Sequence, residues 1–135
     1  GGRKSTRAGY YIHLEPGAAF AGGGVYQPPS DVLRSIRSEI YHNISEFKGI
    51  LDDDRFKKYF DGLAEMGEKL KKAPKGFPAD FKEIELLKHK HYVNSHAIPD
   101  KMLQDDDLAG YLTDVFESMK PFNAFLNRAV TDTEA

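Results

Sequence analysis

Residues 8–24, reading AGYYIHLEPGAAFAGGG, constrain the fold more than any other stretch, because they alone read plainly as strand, turn and strand. Side chains alternate across an extended chain, so Tyr10, Ile12 and Leu14 fall on one face and Tyr11, His13 and Glu15 on the other. One face is then apolar and the other carries polar chemistry. Pro16 presets its φ and Gly17 tolerates a positive one, which is the composition of a tight turn. The returning arm, 18–25, has little side-chain bulk apart from Phe20, so another backbone, a helix or a ligand can approach it closely. The expectation is an antiparallel hairpin pairing residues 8–15 with 19–25.

Most of the remainder reads as helix. Pro28-Pro29 ends the sheet, and Ser30 and Asp31 start a helix that carries Leu33, Ile36 and Ile40 to about His42. Asn43 and Glu46 have the spacing of a capping box opening a second helix with Ile44, Phe47 and Leu51. Asp52, Asp53 and Asp54 read as a cap and a solvated junction rather than a Mg²⁺ site, before a short helix bearing Phe56 and Phe60. Residues 67–78 form a Lys-rich loop. Asp80 and Glu83 repeat the capping-box spacing ahead of a short helix to about Lys88. Residues 91–98 then read as a further strand, closed by Pro99. Leu108, Tyr111, Leu112, Val115, Phe116, Met119, Phe122 and Leu126 keep to one side of a long C-terminal helix, which Pro121 should kink or break near Lys120. The fold class is therefore α+β, a small antiparallel sheet packed by several helices.

A chain of 135 residues, 40% apolar and 30% charged, supports one domain with a real core, here residues 1–130 with a frayed tail at 131–135. The absence of cysteine excludes disulfides and thiolate metal sites. No run approaches the roughly 18 apolar residues that cross a bilayer, and no signal-like segment opens the chain. A cytoplasmic protein without a membrane role is the expectation. A net charge of −2 gives no general attraction to nucleic acid, and the basic patch at 69–75 lacks interleaved aromatics for base stacking. The chain opens with Gly1-Gly2-Arg3-Lys4-Ser5, without Met, and runs almost at once into a strand. A hairpin needs a third strand or a covering helix, so the expectation is an N-terminally truncated part of a longer domain. The missing segment of the same protein would then be a natural partner for the sheet.

The pattern of residues 8–24 with its Pro-rich helix start resembles DUF2461, a bacterial family of conserved hypothetical proteins. Gly2-Arg3-Lys4-Ser5, Ile36-Arg37, Glu39-Ile40, Pro74-Lys75-Gly76-Phe77 and Glu85-Leu86-Leu87-Lys88 extend the likeness over nearly the whole chain. Family members are usually longer at the N-terminus, so the resemblance implies that this chain corresponds to their C-terminal two-thirds. It implies no activity.

His13 and Glu15, two apart on one strand, present both groups to one place, as an acid–base or metal pair requires. The same spacing suits an ordinary structural pair, so both readings stand. Arg3, Lys72 and Lys75 add cations near the glycine-rich arm and suggest a small anionic ligand. Gly22, Gly23 and Gly24 fit neither the phosphate-loop nor the dinucleotide pattern and point instead to close packing or a bulge. His89, His91 and His96 would need carboxylates to hold zinc, and Lys88 and Lys90 would repel it, so no metal and no cofactor is expected. No serine or threonine sits in a nucleophile-elbow context.

Two functional readings result. In one, a small anionic ligand binds the hairpin face, with Glu15 as base or acceptor, His13 as proton donor or acceptor, and Arg3 and Lys75 holding the anion. In the other, the chain is a protein-interaction or scaffold module that meets its partner through an open sheet edge and its tyrosines. Whether His13 and Glu15 line a concavity separates them.

Overall fold

The computed structural model describes the backbone of residues 7–67 and 69–134. Arg3 lies outside the described residues. The fold is α+β. Strands β1 (Gly9–His13), β2 (Phe20–Val25) and β3 (Tyr92–Ala97) form one antiparallel sheet in the order β1-β2-β3. Register places Tyr11 opposite Gly22 and Gly22 opposite Ser95. The Pro16-Gly17 turn closes as expected, with the Ala18 amide donating to the Glu15 carbonyl at 2.9 Å.

The glycines of β2 are explained by packing. A Cβ on Gly22 would stand 2.2 Å from the Asn94 carbonyl oxygen, and one on Gly24, whose φ is +113°, 2.1 Å from that of Tyr92. Neither position admits a side chain while β3 lies alongside.

Helices cover one face of the sheet: α1 (Ser30–His42), α2 (Ile44–Asp52), α3 (Asp54–Lys57), α5 (Leu108–Ser118) and α6 (Lys120–Glu134), with α4 (Asp100–Leu103) beside the hairpin turn. Ala21, Val25 and Tyr92 point to this side and join Val32, Ile36, Ile40, Phe47 and Phe56 in the core. The interruption expected from Pro121 is present, since α5 ends at Ser118 and α6 begins at Lys120. Pro121 falls in the first turn of α6, where its missing N–H has no partner to lose. Val115, Met119, Phe122 and Leu126 of the apolar stripe are fully buried, whereas Leu112 and Phe116 are half-buried. Phe125, Ala129 and Val130 extend the buried face of α6, which packs along α1.

Two local expectations are corrected. Asn43 begins α2 without capping it: its amide nitrogen donates backwards to the Glu39 carbonyl and carboxylate, at 3.2 and 2.8 Å. Glu46 is held by the two terminal guanidinium nitrogens of Arg128, each at 2.8 Å, so both members of the expected box are engaged elsewhere. The helix expected from Asp80 is reduced to a 3₁₀ turn, Ile84–Leu87, and Glu83 accepts from Lys48 of α2 at 2.7 Å instead of capping it. The apolar face of β1 is not a core face, since Tyr10, Ile12 and Leu14 are all about half exposed.

Candidate functional site

The sheet face turned away from the helices carries Tyr11, Phe20, Gly22, Val93 and Ser95. Because the strands alternate, the close-packing requirement at Gly22 also leaves a floor without side-chain bulk at the sheet's centre. Tyr11, Phe20, Tyr26, Met66 and Val93 rise around that floor and enclose a trough of about 370 Å³. Among the described residues its lining contains no Lys or Arg.

Each end of the trough carries an imidazole. At one, the His13 ring lies 5.6 Å from that of Phe20, and its Nε2 is 2.7 Å from Glu15 Oε2. The structure brings this predicted pair together, with both side chains about half exposed. At the other end Tyr26 stacks on His91 at 4.8 Å, and the Gln27 amide donates to His91 Nδ1 at 2.9 Å. A backbone amide only donates, so Nδ1 accepts and the neutral ring carries its proton on Nε2.

Lys72 and Lys75 do not join His13 and Glu15. Both are exposed on the long loop, and Lys75 borders a different groove beside α1. Among the described residues no group of three His, Asp or Glu converges as metal ligands do. His89 is buried beside the Tyr92 ring, His91 stacks on Tyr26, and His96 faces Tyr59 and Tyr111.

A polar cluster that sequence reading missed surrounds His96. Its Nδ1 donates to the Tyr59 carbonyl at 3.0 Å, which leaves Nε2 to accept from the Tyr111 hydroxyl. Burial lowers the His96 pKa and so favours this neutral ring. The Tyr59 hydroxyl donates to the Asp114 carboxylate, which Lys58 also reaches at 3.2 Å. The hydrogen bond from Tyr59 and then that from Lys58 hold the Asp114 pKa below its ordinary value. This cluster ties α5 to β3 and to the end of α3. Tyr111 and Asp114 are three apart on one helix, a faint local signal, but Tyr59 and His96 are distant in sequence.

All the large apolar side chains that are exposed among the described residues stand on β1, at its end or around the trough: Tyr10, Tyr11, Ile12, Leu14, Phe20, Tyr26 and Met66. The described residues contain no helix long and apolar enough to cross a membrane. A family model described as Conserved hypothetical protein (DUF2461) matches residues 1–125 of the chain. No curated protein and no solved structure matches it.

Proposed function

The chain belongs to the DUF2461 family of conserved hypothetical proteins, and from that premise we propose that β1 and the open sheet face dock an extended segment of another polypeptide. The observation that carries this reading is the concentration of exposed apolar side chains on one strand and one face. Contiguous apolar surface of this kind marks interaction sites. An edge strand offers outward N–H and C=O groups to an added strand, whose alternate side chains can enter pockets on the sheet face. The trough supplies such a pocket beside β1. Affinity then comes from main-chain pairing and selectivity from the residue that fills the trough.

Selection of displayed peptides against the chain tests this. Peptides of alternating apolar pattern should be recovered, and their binding should slow amide exchange in Gly9–His13. Selection should fail against a Tyr11→Ser, Ile12→Lys double variant that keeps its melting temperature. Recovered peptides that protect other segments, or an intact library without binders, would count against the docking surface.

A second reading is favoured by one observation, the size of the trough. Its volume of about 370 Å³ suits a small molecule, and its walls are aromatic and aliphatic. Such a ligand would be apolar, with His13 and Glu15 meeting a polar end. The small anionic ligand expected on this face would need a cation, and among the described residues the trough lining has none.

A further inference from the structure

We propose a separate oxyanion site, for a phosphate or carboxylate group, in the groove between α1 and the turn formed by residues 74–77. The groove encloses about 610 Å³ and is bordered by Asp31, Arg34, Ser35, Ser38, His42, Lys75, Gly76 and Phe77. It stands apart from the docking surface and does not depend on it.

Local structure explains why Lys75 reaches this place. The Phe77 amide donates to the Pro74 carbonyl at 3.2 Å, and Gly76 takes a φ of +94°. That is a type II turn, with Lys75 at the second position and glycine at the third, where positive φ is required. The turn is anchored at both ends: Pro74 is buried, and the Phe77 ring packs 5.6 Å from that of Tyr41 on α1. Lys75 is thus held on a fixed corner beside the helix.

The groups facing it suit an anion. Several cations of this chain are engaged by carboxylates, among them Lys48 by Glu83, Lys58 by Asp114, Lys88 by Glu85 and Arg128 by Glu46. Arg34 and Lys75, both exposed, have no such partner among the described residues. Among the described residues, two cations therefore border the groove beside the one carboxylate of Asp31. Guanidinium and ammonium groups on opposite walls complement each other, one supplying a planar fork and the other a mobile point charge.

Ser38 and His42 add hydrogen bonding. His42 Nδ1 lies 2.8 Å from the Ser38 carbonyl, which only accepts, so that nitrogen carries a proton. Ser38 Oγ lies 3.2 Å from the same nitrogen and can accept there, keeping its own hydroxyl proton for a ligand. Ser35 is committed, since its hydroxyl donates to the Ala129 carbonyl at 2.8 Å. The site is then Arg34, Ser38 and Lys75, with His42 orienting the serine.

The test uses inorganic phosphate, phenyl phosphate and benzoate, followed by amide chemical shifts of the full chain. Binding should move the Gly76, Phe77 and Ser38 amides in a saturable way. Arg34→Gln and Lys75→Gln should each weaken it roughly tenfold, in line with the loss of one charge-assisted hydrogen bond. Lys101→Gln on α4, which removes the same charge elsewhere, should leave affinity unchanged. Because Arg34 and Lys75 are exposed, both variants should keep the parent melting temperature. Binding of phenyl phosphate and inorganic phosphate but not benzoate assigns the site to phosphate, and the reverse assigns it to carboxylates. Absence of saturable shifts with all three anions, or equal weakening by Lys101→Gln, overturns the proposal.

Discussion

β1 and β3 flank the same central strand, yet the first half of β3 is buried while nearly all of β1 is exposed. Along β3, Tyr92, Val93 and Asn94 are buried, and the outer edge is closed where the Ala64 amide donates to the Val93 carbonyl at 2.8 Å. Tyr59 and Phe60 pack their rings against His96 further along, at 5.1 and 6.4 Å. β1 is anchored near its start, by Asn127 accepting from the Ala8 amide at 2.9 Å and Asn123 donating to the Gly9 carbonyl at 3.1 Å. From Tyr10 to His13 every residue is exposed. Strand pairing alone does not define a core strand. What matters is the layer laid over it, which on β1, among the described residues, is reduced to the Phe116 ring 5.4 Å from that of Tyr10 and the two α6 asparagines at its start.

Tyr92→Ala removes a fully buried ring and its hydrogen bond to the Leu86 carbonyl, and should cost about 3–5 kcal/mol in denaturant melting. Tyr11→Ala on β1 should stay within about 0.5 kcal/mol, as surface substitutions do. Equal losses at the two positions would mean that β1 is structurally covered after all.

Glycine substitution gives a smaller contrast. Gly24→Ala forces a side chain against the Tyr92 carbonyl at a positive φ, and should cost on the order of 2 kcal/mol through strain and displaced pairing. Gly9→Ala on β1 meets only its neighbour's Tyr11 ring at 3.4 Å and should be close to neutral. Thermal melts of the two variants check this directly.

The smallest effect is acid sensitivity, which should reside on the β3 side. Burial lowers the pKa of His89, with the nearby Lys69 adding to it, and burial likewise lowers that of His96. Both imidazoles are thus neutral in the fold, while the unfolded chain takes up its protons near the ordinary value of about 6.5. The stability they contribute is complete above that value and is lost as pH falls towards the lowered folded-state values. Stability measured from neutral to mildly acidic pH should decline, and His96→Asn should flatten the decline. A slope unchanged by this variant would remove His96 from the account.

The parts of the fold that were legible in the sequence are those set by neighbours along the chain. Pro16-Gly17 specified its turn, Pro121 its helix break, and Tyr92-Val93 their strand. The expected capping boxes Asn43–Glu46 and Asp80–Glu83 failed because Arg128 and Lys48 claim their carboxylates, from 82 and 35 residues away. Alternation along β1 identified two faces but could not reveal that both are exposed, since that depends on what other segments cover. The candidate site was half legible for the same reason. His13 and Glu15 meet because they stand two apart where β1 ends, whereas Lys75 is carried to α1 by a turn whose neighbour no local pattern names.

Hydrogen exchange resolved by residue is the most direct test of the claim that β1 is an open edge. In the chain alone, the outward amides of Gly9–His13 should exchange at rates near those of unstructured peptide, while the β2-facing amides of Tyr92–Ala97 and the Ala64 amide, which donates to the Val93 carbonyl, should be protected. Equal protection of the two strands in the unbound chain would contradict it.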